Sequence, residues 1–219
     1  MKAVIKIGGS VAISAMGIDS HYFSRLIPVL KGIEKGNDVS LCIGGGRIVR
    51  NYFESARALG MSERDMELVG IDMIKAHVRF VAFLTGKKPI FSREEIKGGN
   101  MVIGGLEPGK STDHSAALLA SAIKADVLVK MTNVAGICDR DPAKHKGAKL
   151  IKSMSFAQLK SYATQGTPGN YGILDASAIE IIARDRITTV IMDGRKPEDL
   201  GKALAMETGT VIRGTSEGT

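Results

Sequence analysis

This 219-residue chain predicts an α/β fold, a mostly parallel sheet covered by helices on both faces, and three observations carry that expectation. Short apolar runs alternate with longer helical patterns along the whole length. Three of those runs stop at glycine clusters: Gly8-Gly9, Gly44-Gly45-Gly46 and Gly104-Gly105. The composition, 44% hydrophobic and 24% charged, is that of a globular chain long enough for one sizeable core.

The first apolar run, residues 3–7, reads as a buried strand ending in Gly8-Gly9-Ser10. Residues 21–35 read as a helix, because Phe23, Leu26, Ile27 and Leu30 fall on one face. A second strand, 39–43, runs into the triple glycine, and a second helix spans 47–59. Residues 66–84 form a long helical stretch whose apolar residues spread beyond one face, which suits a central helix or one buried against another subunit. The rhythm then repeats with strand 101–103, a glycine-rich loop, an Ala-rich helix 112–124, strand 126–131 and a loop 132–142. Helices 156–162 and 173–184, strand 188–192, helix 196–205 and strand 210–213 complete the pattern. Residues 139–149 read as an exposed loop. With no repeat and no boundary in sight, residues 1–219 are expected to form one domain. In such a sheet, ligands bind at the carboxyl ends of the strands.

Several function classes are disfavoured at this stage. The net charge of +7 comes from 30 basic and 23 acidic residues that interleave throughout, which fits a basic surface holding anionic small molecules better than a nucleic-acid face. Tryptophan is absent and aromatics make up only 5% of the chain, too few for a base-stacking platform. Cys42 and Cys138 match no metal or redox spacing and read as reduced thiols of a cytoplasmic protein. The four histidines form no ligand pair, so no zinc site is expected. Lys6 interrupts the first apolar run, which rules against a signal peptide, and no apolar stretch is long enough for a membrane span.

Glycine lets a backbone approach a ligand closely, and N–H groups opening a helix attract anions. Three such turns at one sheet edge therefore point to a site for several phosphates. A rival lies inside the third turn: residues 104–111, Gly-Gly-Leu-Glu-Pro-Gly-Lys-Ser, spell the P-loop pattern between a predicted strand and helix. That reading would set Lys110 on the β- and γ-phosphates, Ser111 on magnesium, and Asp193 at the end of strand 189–193 as a magnesium-holding carboxylate. It gives no reason for the other two glycine turns or for Lys6 beside the first.

Ile5-Lys6-Ile7-Gly8-Gly9-Ser10, Gly44-Gly45-Gly46-Arg47, Pro108-Gly109-Lys110-Ser111-Thr112-Asp113, Thr132-Asn133-Val134, Asp141-Pro142, Leu174-Asp175 and Gly209-Thr210-Val211-Ile212 occur in that order. Together they resemble the amino acid kinase superfamily, and more narrowly its archaeal uridylate (UMP) kinases. The resemblance implies a three-layer αβα sandwich that transfers the γ-phosphoryl of ATP to UMP, giving UDP, with magnesium. Its N-terminal part would bind the acceptor and its C-terminal part ATP. It implies ATP contacts at Gly9, Ser10, Gly46, Arg50, Thr132, Asn133, Cys138 and Asp141. UMP contacts are implied at Gly45, at Glu67 towards the ribose, and along Leu106, Glu107, Pro108, Gly109, Lys110, Ser111 and Thr112. A homo-oligomer is implied too, a hexamer built as a trimer of dimers.

The catalytic candidates are Lys6, Asp113 and Lys130. Lys6, at the end of a central strand, can reach a γ-phosphate. Asp113, in the first turn of a helix, is placed to orient a lysine or the metal; Lys130 aligns with a lysine of bacterial relatives, and the resemblance implies that it could serve the leaving phosphates. In the plainer reading, Ser111 or Thr112 simply caps the helix. The chain departs from its relatives at Lys110, where a His or small polar residue is usual, at Cys138 in place of an aromatic, and at Ala135 in place of an acid. Isopentenyl phosphate kinases carry a His after the second glycine turn, where this chain has Arg47. A nucleotide-binding regulator without turnover is the remaining alternative.

Overall fold

The computed structural model describes residues 1–140, 145–162 and 173–214. β1 (Lys2–Ile7) is followed by a single helical turn, α1 (Gly9–Ala12), and a small hairpin of β2 (Ile13–Ser14) and β3 (Gly17–Ile18). Next come α2 (Ser20–Glu34), β4 (Asp38–Ile43), α3 (Gly46–Ala58) and α4 (Glu63–Thr85). Two short strands, β5 (Lys88–Pro89) and β6 (Met101–Ile103), precede α5 (Thr112–Ala122) and β7 (Val127–Thr132). The remainder holds β8 (Ser153–Met154), α6 (Phe156–Lys160), α7 (Ala176–Arg184), β9 (Thr189–Asp193), α8 (Leu200–Leu204) and β10 (Thr210–Ile212).

The strands form one sheet in the order β5-β6-β4-β1-β7-β9-β10-β8. Its pairings are parallel except β10 against β9. Strand β1 lies in the middle, and its two faces feed two cores. Ala3, Ile5 and Ile7 pack towards α2 and α4, with Phe23, Leu26, Val78 and Val81. Val4 points the other way, with Cys42, towards α5 and α7 and their Leu119, Ile179 and Ile182. Both faces of each central strand are therefore buried, which is why the runs in the sequence are continuous rather than alternating. The result is the expected three-layer αβα arrangement. Among the described residues no helix is long and apolar enough to cross a membrane.

Helix ends move from their expected positions for local reasons. Ser62 accepts the Asp65 N–H and starts α4 three residues earlier than residue 66, and Gly86, at φ 67°, ends it in a left-handed cap. Asp175 accepts the Ala178 N–H, so α7 begins at Ala176 rather than at 173. The helix expected over 196–205 divides into a 3-10 turn, Pro197–Asp199, and α8. α1, the β2–β3 hairpin, β5 and β8 are additional to the expected elements; they span two to four residues and lack a continuous apolar run such as the one that marks β6.

Candidate active site

Strand register sets the floor of the site. Lys6 lies opposite Cys42 on one neighbouring strand and opposite Lys130 on the other. The two lysines thus stand side by side on the α5 face of the sheet. Asp113, in the first turn of α5, meets both. Lys130 Nζ donates to Asp113 Oδ2 and to the Ile173 carbonyl. Lys6 Nζ lies 3.1 Å from Oδ1 in a second ion pair.

All three side chains are buried, at 7%, 7% and 5% exposure for Lys6, Asp113 and Lys130. Two buried cations share one anion, an arrangement that costs stability and so points to function. Burial pushes Lys130 down to about 8, with Asp113 opposing that shift and Lys6 adding to it. Burial also raises the Asp113 carboxyl, but Lys130 and then Lys6 outweigh it and hold it below its ordinary value. Next to them, burial pushes the Cys42 thiol up to about 12. Its Sγ donates to the Thr112 carbonyl at 3.2 Å and makes no anion.

Above this floor opens a cleft of about 370 Å³. One wall is backbone. A Cβ on Gly9 would stand 2.2 Å from Gly46 N, so the first and second glycine turns meet main chain to main chain. Gly46 itself has φ 72°. The opposite rim is the 105–112 loop, where Gly109, at φ 74°, donates its N–H to Glu67 Oε2 at 2.8 Å. Arg50 and Lys110 line the cleft with no ion-pair partner among the described residues. The described residues hold no group of three His, Cys, Asp or Glu able to bind a metal.

The cleft gathers most of the residues singled out from the sequence: Lys6, Asp113, Lys130, Gly9, Ser10, Gly45, Gly46, Arg50, Glu67, residues 107–112, Thr132 and Asn133. Leu106 is not among them; it is half-buried and packs against the core cluster on the α5 side of the sheet. Cys138 also lies off the cleft lining, in a backbone bridge to Leu150. Asp141, like Pro142, falls outside the described residues. Ser111 lines the cleft, yet its hydroxyl caps α5, accepting from Asp113 N–H and His114 N–H at 3.0 and 3.1 Å, and donates to Asp175. Sequence reasoning missed an apolar wall of Val49, Phe53, Gly70, Ile71 and Ile74. The signal was present, since Val49/Phe53 and Gly70/Ile74 are each four apart on a helix. The Phe53 ring fills the space where a Gly70 Cβ would stand.

The P-loop alternative fails on this geometry. Ser111 has no hydroxyl valence left for a metal. Asp193, its proposed partner, is paired with Arg195 at 2.7 Å and does not reach the cleft.

Residues 96–193 match the model of the amino acid kinase family. The chain is 34% identical to the uridylate kinase of Methanothermobacter thermautotrophicus, covering 97% of this chain and 99% of that protein. It is 33% identical to the uridylate kinase of Methanocaldococcus jannaschii, covering 98% and 100%. Among solved structures, uridylate kinase from Archaeoglobus fulgidus superposes with a TM-score of 0.80 at 30% identity, covering 97% of this chain and 100% of that one. An aspartate kinase from Synechocystis shares the fold at a TM-score of 0.71 and 16% identity, over 97% of this chain and 40% of that one.

Proposed function

The chain belongs to the amino acid kinase family, within its uridylate kinase branch, and from that premise we propose that it transfers the γ-phosphoryl group of ATP to UMP, releasing UDP and ADP. The observation that carries the reading is the Lys6–Asp113–Lys130 cluster buried at the floor of a cleft walled by glycine turns.

The chemistry asks little covalent help of the protein. A UMP phosphate oxygen attacks the γ-phosphorus while the bond to the β–γ bridging oxygen breaks, and the electron pair leaves with ADP. A monophosphate with a second pKa near 6 is largely ionised at neutral pH, so no strong base is needed. Asp113, held anionic between two lysines, acts as their organiser. Lys6 stabilises charge on the moving phosphoryl, and Lys130 serves the leaving phosphates. The N–H groups of the first two glycine turns, with Gly9, Ser10, Gly46 and Arg50, hold the donor phosphates. Thr132 and Asn133 would belong to the nucleoside end of ATP, as would Asp141 and, from outside the cleft lining, Cys138. Gly45, Glu67, residues 107–110 and Thr112 receive UMP, with Lys110 near its phosphate. Magnesium, when bound with ATP, would supply charge neutralisation at the phosphates.

On this reading residues 1–219 work as one domain in the cytoplasm, consistent with two free cysteines. The α4 residues Phe80, Phe83 and Leu84, which are 49%, 74% and 43% exposed, make that helix the expected contact for self-association into dimers and a hexamer. The deciding assay is ADP release from ATP and magnesium with UMP, CMP, dTMP, isopentenyl phosphate or no acceptor. Stimulation by UMP above the others is expected. Equal release without any acceptor would sink the proposal.

A further inference from the structure

We propose that Ser111 and Asp175 form a positioning pair that fixes the lysine–carboxylate cluster, and that Ser111 serves there rather than as a contact to UMP.

The valence of one hydroxyl carries the argument. A serine oxygen has one proton to give and two lone pairs to accept with. In Ser111 the proton goes to Asp175 Oδ2, and the lone pairs take the N–H groups of Asp113 and His114. Nothing is left for a substrate, although the residue lies in the cleft lining.

Asp175, only 5% exposed, is equally committed. Its Oδ1 accepts from Ala178 N–H at 2.8 Å and from Ser177 Oγ at 2.7 Å. One carboxylate therefore caps α7 and is bonded to the residue that caps α5. A second strap runs beside the first, from Ser177 Oγ to His114 Nδ1 at 2.9 Å.

Both acceptors of Lys130 hang from the two ends of this bond. Asp113 follows Ser111 by two residues, and Ile173 precedes Asp175 by two. Farther along, the contact between α5 and α7 is apolar, through residues such as Leu119, Ile179 and Ile182, until Ser121 Oγ donates to Asp185 Oδ2 at 2.6 Å where both helices end. Apolar packing is non-directional and tolerates a small slide of one helix along the other. A charge-assisted O–H···O⁻ bond is short and directional and does not. Of the directional bonds between the two helices, the Ser111–Asp175 pair is the one bonded to Asp113 itself, and it sets the height of that carboxylate against Lys6 and Lys130.

The test separates pinning from capping. Ser111→Gly removes the hydroxyl but leaves a residue type accepted at helix N-caps, and Asp175→Asn keeps a cap for α7. Ser111→Thr keeps the hydroxyl. For the activity readout the inference rests on the UMP kinase reading. We expect Ser111→Gly and Asp175→Asn to lower kcat about a hundredfold, as misplacement of a reacting group by about 1 Å does, with the KM for UMP within about twofold, and Ser111→Thr to restore most of it.

The second readout needs no turnover. Titration of the Lys130 side chain, followed by NMR of the nucleotide-free protein, should leave its position near 8 in Ser111→Gly and return in Ser111→Thr. The charged groups facing that lysine are Asp113, Lys6 and Asp175. A raised KM with kcat intact would mean that Ser111 touches UMP, and would overturn the proposal. So would a loss of kcat with the Lys130 titration unmoved, the mark of a mere cap. A wild-type protein that does not phosphorylate UMP would refute the kinase reading, while the Lys130 titration would still decide the pair.

Discussion

The two sides of the cleft are built on opposite principles. The glycine wall is made of main chain, where Gly9 meets Gly46 so closely that neither can carry a side chain. The floor is made of side chains, with two lysines and an aspartate from β1, β7 and α5 sharing charge in a buried space. A wall of this kind defines shape and offers N–H groups in fixed directions. A floor of this kind defines charge, at the cost of burying it. The difference implies that damage to the floor should appear in kcat with the fold intact, whereas damage to the wall should appear in stability as well.

The largest expected effect tests the floor. Lys6→Ala should lower kcat by about a thousandfold, in the range seen when one stabilising donor is lost, with a melting temperature close to wild type. Lys110→Ala, at the exposed rim, should cost no more than about tenfold, mostly in the KM for UMP. Steady-state kinetics on both variants decide the matter, and the reverse ranking would return attention to the 104–111 loop.

The pH dependence is the next largest effect. Lys130 titrates near 8 in the folded protein against 10.5 for an ordinary lysine. As pH rises through about 8 the folded protein loses the cation, so kcat/KM should fall, by up to tenfold per pH unit on the alkaline limb. Stability runs the other way. Between about 8 and 10.5 the unfolded chain binds more protons than the folded one, so this group's contribution to stability rises with pH across that window. A pH–rate profile set beside chemical denaturation at each pH would show the two trends diverging. Parallel trends would mean that activity is simply following unfolding.

The smallest effect tests the wall. Gly9→Ala must push its Cβ off Gly46 N, and should destabilise the protein by about 1–3 kcal/mol, as overpacking does. In a chain of this size that amounts to a loss of a few degrees in Tm. Gly109→Ala has open space around its Cβ and only the positive φ to oppose it, for about 1 kcal/mol. Calorimetry on the pair distinguishes steric contact from backbone strain. Equal losses would mean that the Gly9–Gly46 approach relaxes easily.

Much of this was legible in the residues. The glycine turns announce themselves because a backbone that must approach a ligand or another backbone leaves no room for Cβ. The main strands and helices were legible because burial on both faces writes continuous apolar runs and burial on one face writes a helical period. Helix ends were less so. Asp175 reads as one acid within a helical pattern until its side chain is seen to cap α7. The apolar wall of Phe53 and Gly70 was hidden, since a helix face towards a cleft and one towards a core have the same spacing.

By itself the sequence determined the order of elements, the three glycine turns, and Lys6, Asp113 and Lys130 as the charged residues to watch. The element order and the glycine turns are local facts, set by backbone sterics and by the periodicity of burial within a dozen residues, whereas Lys130 stood out only through the family that the ordered motifs resemble. Only the tertiary structure decided that the two lysines share one carboxylate, that Leu106 packs against the core and Cys138 stands off the cleft, and that the hydroxyl of Ser111 is spent on Asp175. That last bond joins residues 64 apart in the chain. Its existence depends on how α5 and α7 settle against each other, and non-directional apolar packing leaves no mark of that placement in any local pattern.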